Sequence, residues 1–495
     1  MKNILLFLFF CVVLSGCNSE KDENLIPDAE YVGTVIIDRV LYVSEDGVTA
    51  YVKDGKRALG EVVIPDFVTI NGRQMPVTGI YGILNGLMFP EGAFSDNSDI
   101  VKVTMGNNIK EIGDYAFYNC TIRDISISGS VVRIGEGVFS SCPKLNSVTL
   151  PNSIISIGNK AFSGCSDLTS IILPNSITSI GENAFNHCGS LTSIILPNSV
   201  TSVGSDAFRG CGNLTSIALP NTITSIEAGV FESCSKLTSM TIPNSVKSIG
   251  DDAFISCNSL ESVVLPNSVM SIGNNAFKSC INLVSVAIND AESSIGDNAS
   301  KGLESLTSEA LDGTLTGIGD NAFQNCKNLV SVALPNSLTI IGNNAFESCK
   351  SLTSVIMPNA LTSIGVSAFG LCGSLTSVQL PASVTNIGIL AFNRCNKLES
   401  INIPNSLTSI SSDVFYSCSS LESVIIPGSV TVINDGAFWY ISQNASIYVK
   451  GMTPPVATGE IFFPSNNNIK VYVPTGTIEQ YKSAGYWKDC NLMEE

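Results

Sequence analysis

The sequence is poor in the residues that carry out chemistry. It holds one histidine, His187, and two tryptophans, Trp439 and Trp487, among 495 residues. No Cys-x-x-Cys pair occurs, so the usual zinc spacings are missing. No P-loop and no nucleotide-binding glycine fingerprint occurs either. His187 directly precedes Cys188, but adjacency in sequence does not make a nucleophile and its base. A variable surface residue is the plainer account. These absences argue against an enzyme, and no cofactor or metal is expected. Charge is also scarce, at 14% of residues, and lopsided: 26 Lys and Arg face 43 Asp and Glu, for a net −17. With no basic cluster, polyanions are repelled, so nucleic acid is not an expected partner. Beyond the N-terminus, no apolar run is long enough to cross a bilayer.

What the sequence does have is repetition. Hydrophobic residues make up 44% of it, enough for a continuous core and too much for disorder. Phenylalanine recurs at 94, 117, 139, 162, 185, 208, 231, 254 and 277, then at 323, 346, 369, 392, 415 and 438. The steps are 23 residues, apart from one of 22 and one of 46 that passes over a coil. A clean unit runs from Leu168 to Ser190. Leu168, Ile171 and Leu173 give the L-x-x-[IV]-x-L pattern of a short strand with its large residues inward, and the period falls in the leucine-rich-repeat range of about 20–29. Pro174 ends the strand and Asn175 suits a turn. Ile177 and Ile180 start an apolar return segment, and Gly181 permits a sharp bend. Glu182 and Asn183, like Asp251 and Asp252 in a sister coil, suit the start of one helical turn as caps. The calcium-binding alternative lacks its Gly-rich nonapeptide. Phe185 fills the interior.

One coil cannot bury its own apolar face, so stacking is obligatory. The expected fold is a repeat solenoid: a leucine-rich-repeat, right-handed stack of short β-strands with single helical turns. At a strand spacing of ~4.8 Å, sixteen coils would span roughly 75 Å. Thirteen of the sixteen cysteines stand three residues after the repeat phenylalanine position, from Cys120 to Cys418. Side chains at one repeat position point in parallel, and a disulfide needs them turned toward each other. A buried ladder of free thiols is expected, with cysteine as a small hydrophobe.

The ends depart from the period. Residues 29–90 suggest a β-rich N-terminal cap: Val35-Ile36-Ile37 and Thr49–Val52 flank Glu45-Asp46-Gly47 as a hairpin. Glu61–Ile64 resembles a first strand, and Asn71-Gly72 a turn. Residues 91–440 form the solenoid, with a degenerate coil near 290–315, where Ser300 replaces the phenylalanine and Glu309 takes an inward position. That coil is expected to be locally soft, unless the drift is simply tolerated. Residues 441–495 form a small α/β C-terminal cap. In it Ile447–Val449 and Ile469–Val473 are strands, Thr477–Gln480 a capping box, and Ile478, Tyr481 and Trp487 cover the last coil.

Residues 1–16 have the form of a secretory signal, with Lys2 before the apolar run Ile4–Leu14. Leu14-Ser15-Gly16-Cys17 resembles the lipobox of bacterial lipoproteins, which makes Cys17 the lipidated first residue of the mature chain; an ordinary signal peptide with an incidental cysteine is the alternative. Residues 17–28 form an acidic tether. Asn18–Glu23 is similar to the export signal of surface lipoproteins, although a plain solvated tether reads the same way. Asn18 in place of aspartate argues against inner-membrane retention. The expected location is therefore the outer membrane, exposed at the surface and held by lipid only.

The unit L-x-x-[IV]-x-[IL]-P-N-S-[IV]-x-x-[IV]-G-x-x-A-F-x-x-C resembles the BspA-like leucine-rich-repeat family of bacterial surface antigens, over residues 60 to 440. The resemblance implies adhesion to host matrix proteins or contact between cells, with host or bacterial surface proteins as partners. It fixes the fold better than the function.

The candidate working surface is the outward face of the main sheet. Pairs such as Thr169-Ser170 line it, and a third outward position varies: Ile172, Ile195, Ala218, Thr241, Val264, Ala287, Ala333, Ile356, Gln379, Asn402 and Ile425. This Ser/Thr surface with an apolar stripe suits an extended protein ligand, though strand propensity alone gives the same composition. The scarcity of aromatics there counts against sugar stacking. A monomeric, adhesin-like binding protein is the leading expectation. Accessory glycan or nutrient capture and a structural spacer are the alternatives.

Overall fold

The computed structural model describes residues 33–81, 92–289, 315–462 and 468–495. The chain winds into a β-solenoid in which the described coils lay one short strand on each of two parallel sheets, except at Ile172, where the main-sheet strand is reduced to a single bridge to Thr149. The main sheet carries strands such as Ser193–Ile195, paired in parallel with Ser216–Ala218 at a step of 23 residues. Eleven of its strands run without a break from Ser239–Thr241 to Asn491–Glu494. The return segments pair likewise, as with Ser179–Ile180 against Ser202–Val203.

The inward pattern read from the sequence holds. Leu168, Ile171, Leu173, Ile177, Ile180, Ala184, Phe185 and Cys188 are all buried. The phenylalanines form one continuous stack. Phe185 and Phe208 lie 5.5 Å apart with their planes 1° from parallel, an offset arrangement favoured by the ring quadrupoles. The thirteen repeat cysteines are free and buried.

The turn between the return strand and the phenylalanine is not the expected helical turn. It is a chain of i→i+3 bonds: Asn186 N–H to Asn183 O at 3.1 Å, then Cys188 N–H to Phe185 O at 3.1 Å. Asn183 and His187 stand in the left-handed region, at φ 55° and 57°, which interrupts any helix. The polar residue after the glycine does accept an amide bond, but from the next coil. Asn159 Oδ1 accepts from Glu182 N–H at 2.9 Å, and Asp251 Oδ1 accepts from Asn274 N–H at 2.6 Å. Gly181 is required for close approach: a Cβ there would come within 2.6 Å of Asn159 N.

Three further ladders cross the coils. Each repeat thiol donates to the carbonyl of the preceding phenylalanine, as Cys188 Sγ does to Phe162 O at 3.1 Å. The serine of Pro-Asn-Ser donates one coil back, as Ser199 Oγ does to Ile177 O at 2.6 Å. Strand threonines do the same, as Thr215 Oγ1 does to Thr192 O at 3.3 Å.

The degenerate coil lies outside the described residues, but its neighbours do not wait for it. Ser271 pairs with Gly317 and Ser285 with Ser331. Phe277 stacks on Phe323 at 5.3 Å, and Cys326 Sγ donates to Phe277 O at 3.2 Å. The regular stack therefore closes directly across residues 290–314.

At the N-terminal end, Gly33–Ile37 and Val40–Ser44 form an antiparallel hairpin through Asp38 and Arg39. The turn at 45–47 instead joins Val40–Ser44 to Ala50–Asp54. Gly60–Ile64 pairs in parallel with Ile100–Met105 and opens the main sheet. At the other end, the helix Ile478–Lys482 follows Thr477, yet no capping box forms. The Thr477 hydroxyl donates to Pro474 O at 2.7 Å instead. Tyr481 and Trp487 are buried, with Tyr481 OH on Gly451 O and Trp487 Nε1 on Pro455 O, both at 2.7 Å.

Candidate functional site

The alternation of a β-strand sends Ile171 and Leu173 inward and Ile172 to solvent. Because the strands pair in parallel at a fixed step, the third outward residues line up as one column. Ile195 lies in register with Ala218, Thr241 with Val264, Ala333 with Ile356, and Ile425 with Tyr448. Ile172 and Ile195 are 83% and 80% exposed, more than any other large apolar residue described. Ala218, Thr241, Gln379, Ile356 and Ile425 are exposed, and Val264 is half-buried. The small Ala218 leaves a shallow depression of about 510 Å³ between Ile195 and Thr241, edged by Ser193, Ser216 and Ser239.

Two positions correct the sequence reading. Ala333 is buried, at 6% exposure. Its methyl group is short, and it stands in register beside the bulkier Ile356. Asn402 is half-buried and occupied: its Oδ1 accepts from Leu380 N–H at 2.6 Å and its Nδ2 donates to Leu380 O at 2.8 Å. It bridges two coils where the preceding strand has shortened to Ser377–Val378. Ala287 pairs through its backbone with Val264; its side chain, like Cys17, lies outside the described residues. The hydroxyls of Thr192, Thr215 and Thr238 on this face are also committed, since they form one of the inter-coil ladders. The serine column, exposed at Ser193, Ser216 and Ser239, carries the hydroxyls directed at solvent.

The column does not stop at Ile425. It continues in register through Tyr448, Tyr472 and Met493. The two tyrosine rings stack at 4.8 Å and 10°, and Lys450 Nζ lies 5.6 Å from the Tyr448 ring centroid. Sequence reasoning missed this extension, although Tyr448 stands 23 residues after Ile425. Stacked side by side, the rings cover each other's faces.

His187 is exposed on its turn, beside Gly210. Among the described residues, no group of three or more His, Cys, Asp or Glu is placed to hold a metal, and no helix is long and apolar enough to cross a membrane.

The sequence matches the family described as BspA type leucine rich repeat region, in six copies over residues 88–192, 178–307 and 316–445. The chain belongs to the BspA-type leucine-rich-repeat family. Among solved structures, this BspA-type chain is similar to a leucine-rich repeat protein from Bacteroides ovatus, with 28% identity and a TM-score of 0.58 over 80% of this chain and 95% of that one. It is also similar to a leucine-rich cell surface protein from Faecalibacterium prausnitzii, at 27% identity and TM-score 0.42 over 79% and 94% of the two chains. The pneumococcal vaccine antigen PcpA matches at 19% identity and TM-score 0.43, over 94% and 98%. No curated protein matches the sequence. Solenoids of this class generally serve as binding scaffolds rather than enzymes.

Proposed function

We propose that this BspA-type protein is a monomeric, non-enzymatic adhesin on the bacterial surface. Its outer-membrane anchor is the lipid on Cys17. It docks an extended protein, from a host matrix or another cell, along the outward face of the main sheet. One observation carries the reading: an apolar column, exposed at Ile172, Ile195, Ile356 and Ile425, ends in the half-buried Tyr448 and Tyr472 and the exposed Met493. Exposed apolar residues grouped on one face, Ile172 with Ile195 near one end and Ile425 with Tyr448 and Tyr472 at the other, support an interaction surface, and tyrosine and methionine are enriched in interface cores.

The test is a binding screen of the full chain against immobilised host matrix proteins, repeated with Ile172→Ser, Ile195→Ser and Tyr472→Ala combined. Loss of binding at unchanged thermal stability supports the sheet face. Retention of binding places the ligand elsewhere, and a chain that binds nothing is a spacer. Labelling with a fatty acid, lost in Cys17→Ala, tests the anchor.

A further inference from the structure

Through most of the C-terminal half, each coil is bonded to the next by both sheets. The return strands run unbroken from Ser225–Ile226 to Asn386–Ile387, and the main strands from Ser239–Thr241 onward. Just before this stretch the double bonding lapses at three successive joints. Ser179–Ile180 pairs with Ser202–Val203, but Ser193–Ile195 is not paired with the main strand before it. At the next joint the sheets exchange roles. Ser193–Ile195 pairs with Ser216–Ala218, while Ser202–Val203 and Ser225–Ile226 stay apart. At the third they exchange again. Ser225–Ile226 pairs with Ser248–Ile249, while Ser216–Ala218 and Ser239–Thr241 stay apart. The two coils spanning 191–236 are thus tied to each other and to the stack by one sheet at a time.

We propose that residues 191–236 form an articulation, at which the two arms of the solenoid change their angle and the outward face changes its curvature. The turn side supplies the hinge line, because its bonds cross without interruption. Asp206 N–H reaches Ala228 O and Phe208 N–H reaches Val230 O, both at 2.9 Å; one coil on, Gly229 N–H reaches Asp251 O and Phe231 N–H reaches Ala253 O, also at 2.9 Å. With one sheet missing at each joint, and alternately, the coils can open on either side of that line. The articulation is a property of the scaffold and is independent of what the face binds. Its use is plain all the same: a face that flexes at Ile195, Ala218 and Thr241 meets ligand surfaces of more than one curvature.

Two residues account for the middle joint. At a regular joint Lys247 N–H reaches Thr224 O and Gly250 N–H reaches Ile226 O, both at 2.8 Å, but Thr224 and Glu227 make no such bonds to the coil before them. Glu227 stands in the slot of the repeat glycine, and Val230 in the slot of the repeat alanine. That glycine permits close approach: a Cβ at Gly204 would come within 2.6 Å of Glu182 N. The bulkier Val230 lies inside the coil, where added volume forces neighbours apart. The ring stack records it, with Phe231 5.8 Å from Phe208. The same pair of changes, Ser411 with Val414, recurs where the return strands part again after Asn386–Ile387, and there Phe415 lies 6.0 Å from Phe392. Asn434 also replaces the glycine, but Ala437 follows it, and its N–H still reaches Ile410 O at 2.9 Å. On the main-sheet side of the third joint, Leu219 is half-buried where Leu173, Leu196 and Ile242 are buried. The shallow depression around Ala218 spans the same gap.

The experiment compares two pairs of spin labels on the full chain, attached to p-acetylphenylalanine so that the native thiols are untouched. One pair, at the exposed Thr178 and Thr316, spans the three single-sheet joints; the other, at the exposed Lys247 and Thr385, spans as many joints bonded by both sheets. Each pair is roughly 24 Å apart at the spacing of sheet strands. The pulsed-resonance distance distribution should be broader for Thr178/Thr316. In the unlabelled chain, the amides of Thr224 and Glu227 should exchange at least about tenfold faster than those of Lys247 and Gly250. Glu227→Gly with Val230→Ala restores the repeat residues, and should narrow the first distribution and slow both amides. Equal widths for the two pairs in the parent overturn the articulation, and so does equal exchange at the two sets of amides; neither comparison needs a variant. A restored chain that folds and keeps the broad distribution and the fast exchange overturns it as well.

Discussion

The thiol of Cys211 donates to the carbonyl oxygen of Phe185, one coil back, at 3.2 Å. The same oxygen accepts the amide of Cys188 at 3.1 Å, so the phenylalanine carbonyl is shared between its own coil and the next. A small apolar side chain with one weak donor satisfies this arrangement. Burial pushes the thiols upward, to about 12 at Cys234, Cys280, Cys372 and Cys418, from an ordinary value near 9. The folded chain therefore holds protons that the unfolded chain releases above pH 9. The ladder's stability is fully present below that pH and is lost as pH rises from about 9 toward 12. Each thiol contributes up to about 1.4 kcal/mol per pH unit in this window. Melting temperature should fall steeply above pH 9; a flat profile to pH 11 contradicts a buried thiol ladder.

Phe208 lies between Phe185 at 5.5 Å and Phe231 at 5.8 Å. Phe208→Ala should cost about 3–5 kcal/mol and should loosen both adjacent coils, because a solenoid's coils depend on their neighbours. Hydrogen exchange is the measurement. Faster exchange confined to residues 200–215 would show that the coils are not coupled through the ring stack.

Asp320 accepts the amide of Asn343 at 2.6 Å, and its own amide donates to Asn274 Oδ1 at 2.8 Å. Asp320→Ala removes one rung and should destabilise by about 0.5–1.5 kcal/mol. Asp320→Asn keeps the acceptor and should restore most of the loss in a denaturant titration. Equal losses in the two variants would deny the rung a role.

Strand pairing and the phenylalanine stack step by 46 residues across 290–314, where their usual step is 23. Deleting residues 292–314 leaves a coil of the ordinary length between Phe277 and Phe323. The shortened chain should fold and melt within about 4 °C of the parent. A large loss of stability would mean that those residues supply core contacts to the stack.

The inward half of the coil was legible in the sequence because burial repeats one residue type at one spacing, as at Phe185 and Cys188. What escaped was the partner of each polar residue. Asp251 reads as a local cap, because side-chain bonding rules are written for near neighbours in sequence. In the folded chain its partner, the amide of Asn274, stands 23 residues away, one coil along the stack. The same habit hid Tyr448 and Tyr472, which were recognised as strand residues of a separate end piece and not as the continuation of the column from Ile425. The exchange of a helical turn for left-handed residues at Asn183 and His187 was also hidden: both residue types tolerate that region, but an acidic or amide residue before Ala-Phe fits the start of a helical turn equally well.

The direct closure of the stack over residues 290–314 has a meaning at the level of the gene. A junction that joins coil to coil with its bonds intact makes whole repeats removable units. Repeated coding units in tandem can recombine with one another, and an architecture with such a junction would tolerate the products. Related strains can then carry longer or shorter forms of the protein. Their sheet-face columns would differ in length while every surviving coil keeps the same neighbours.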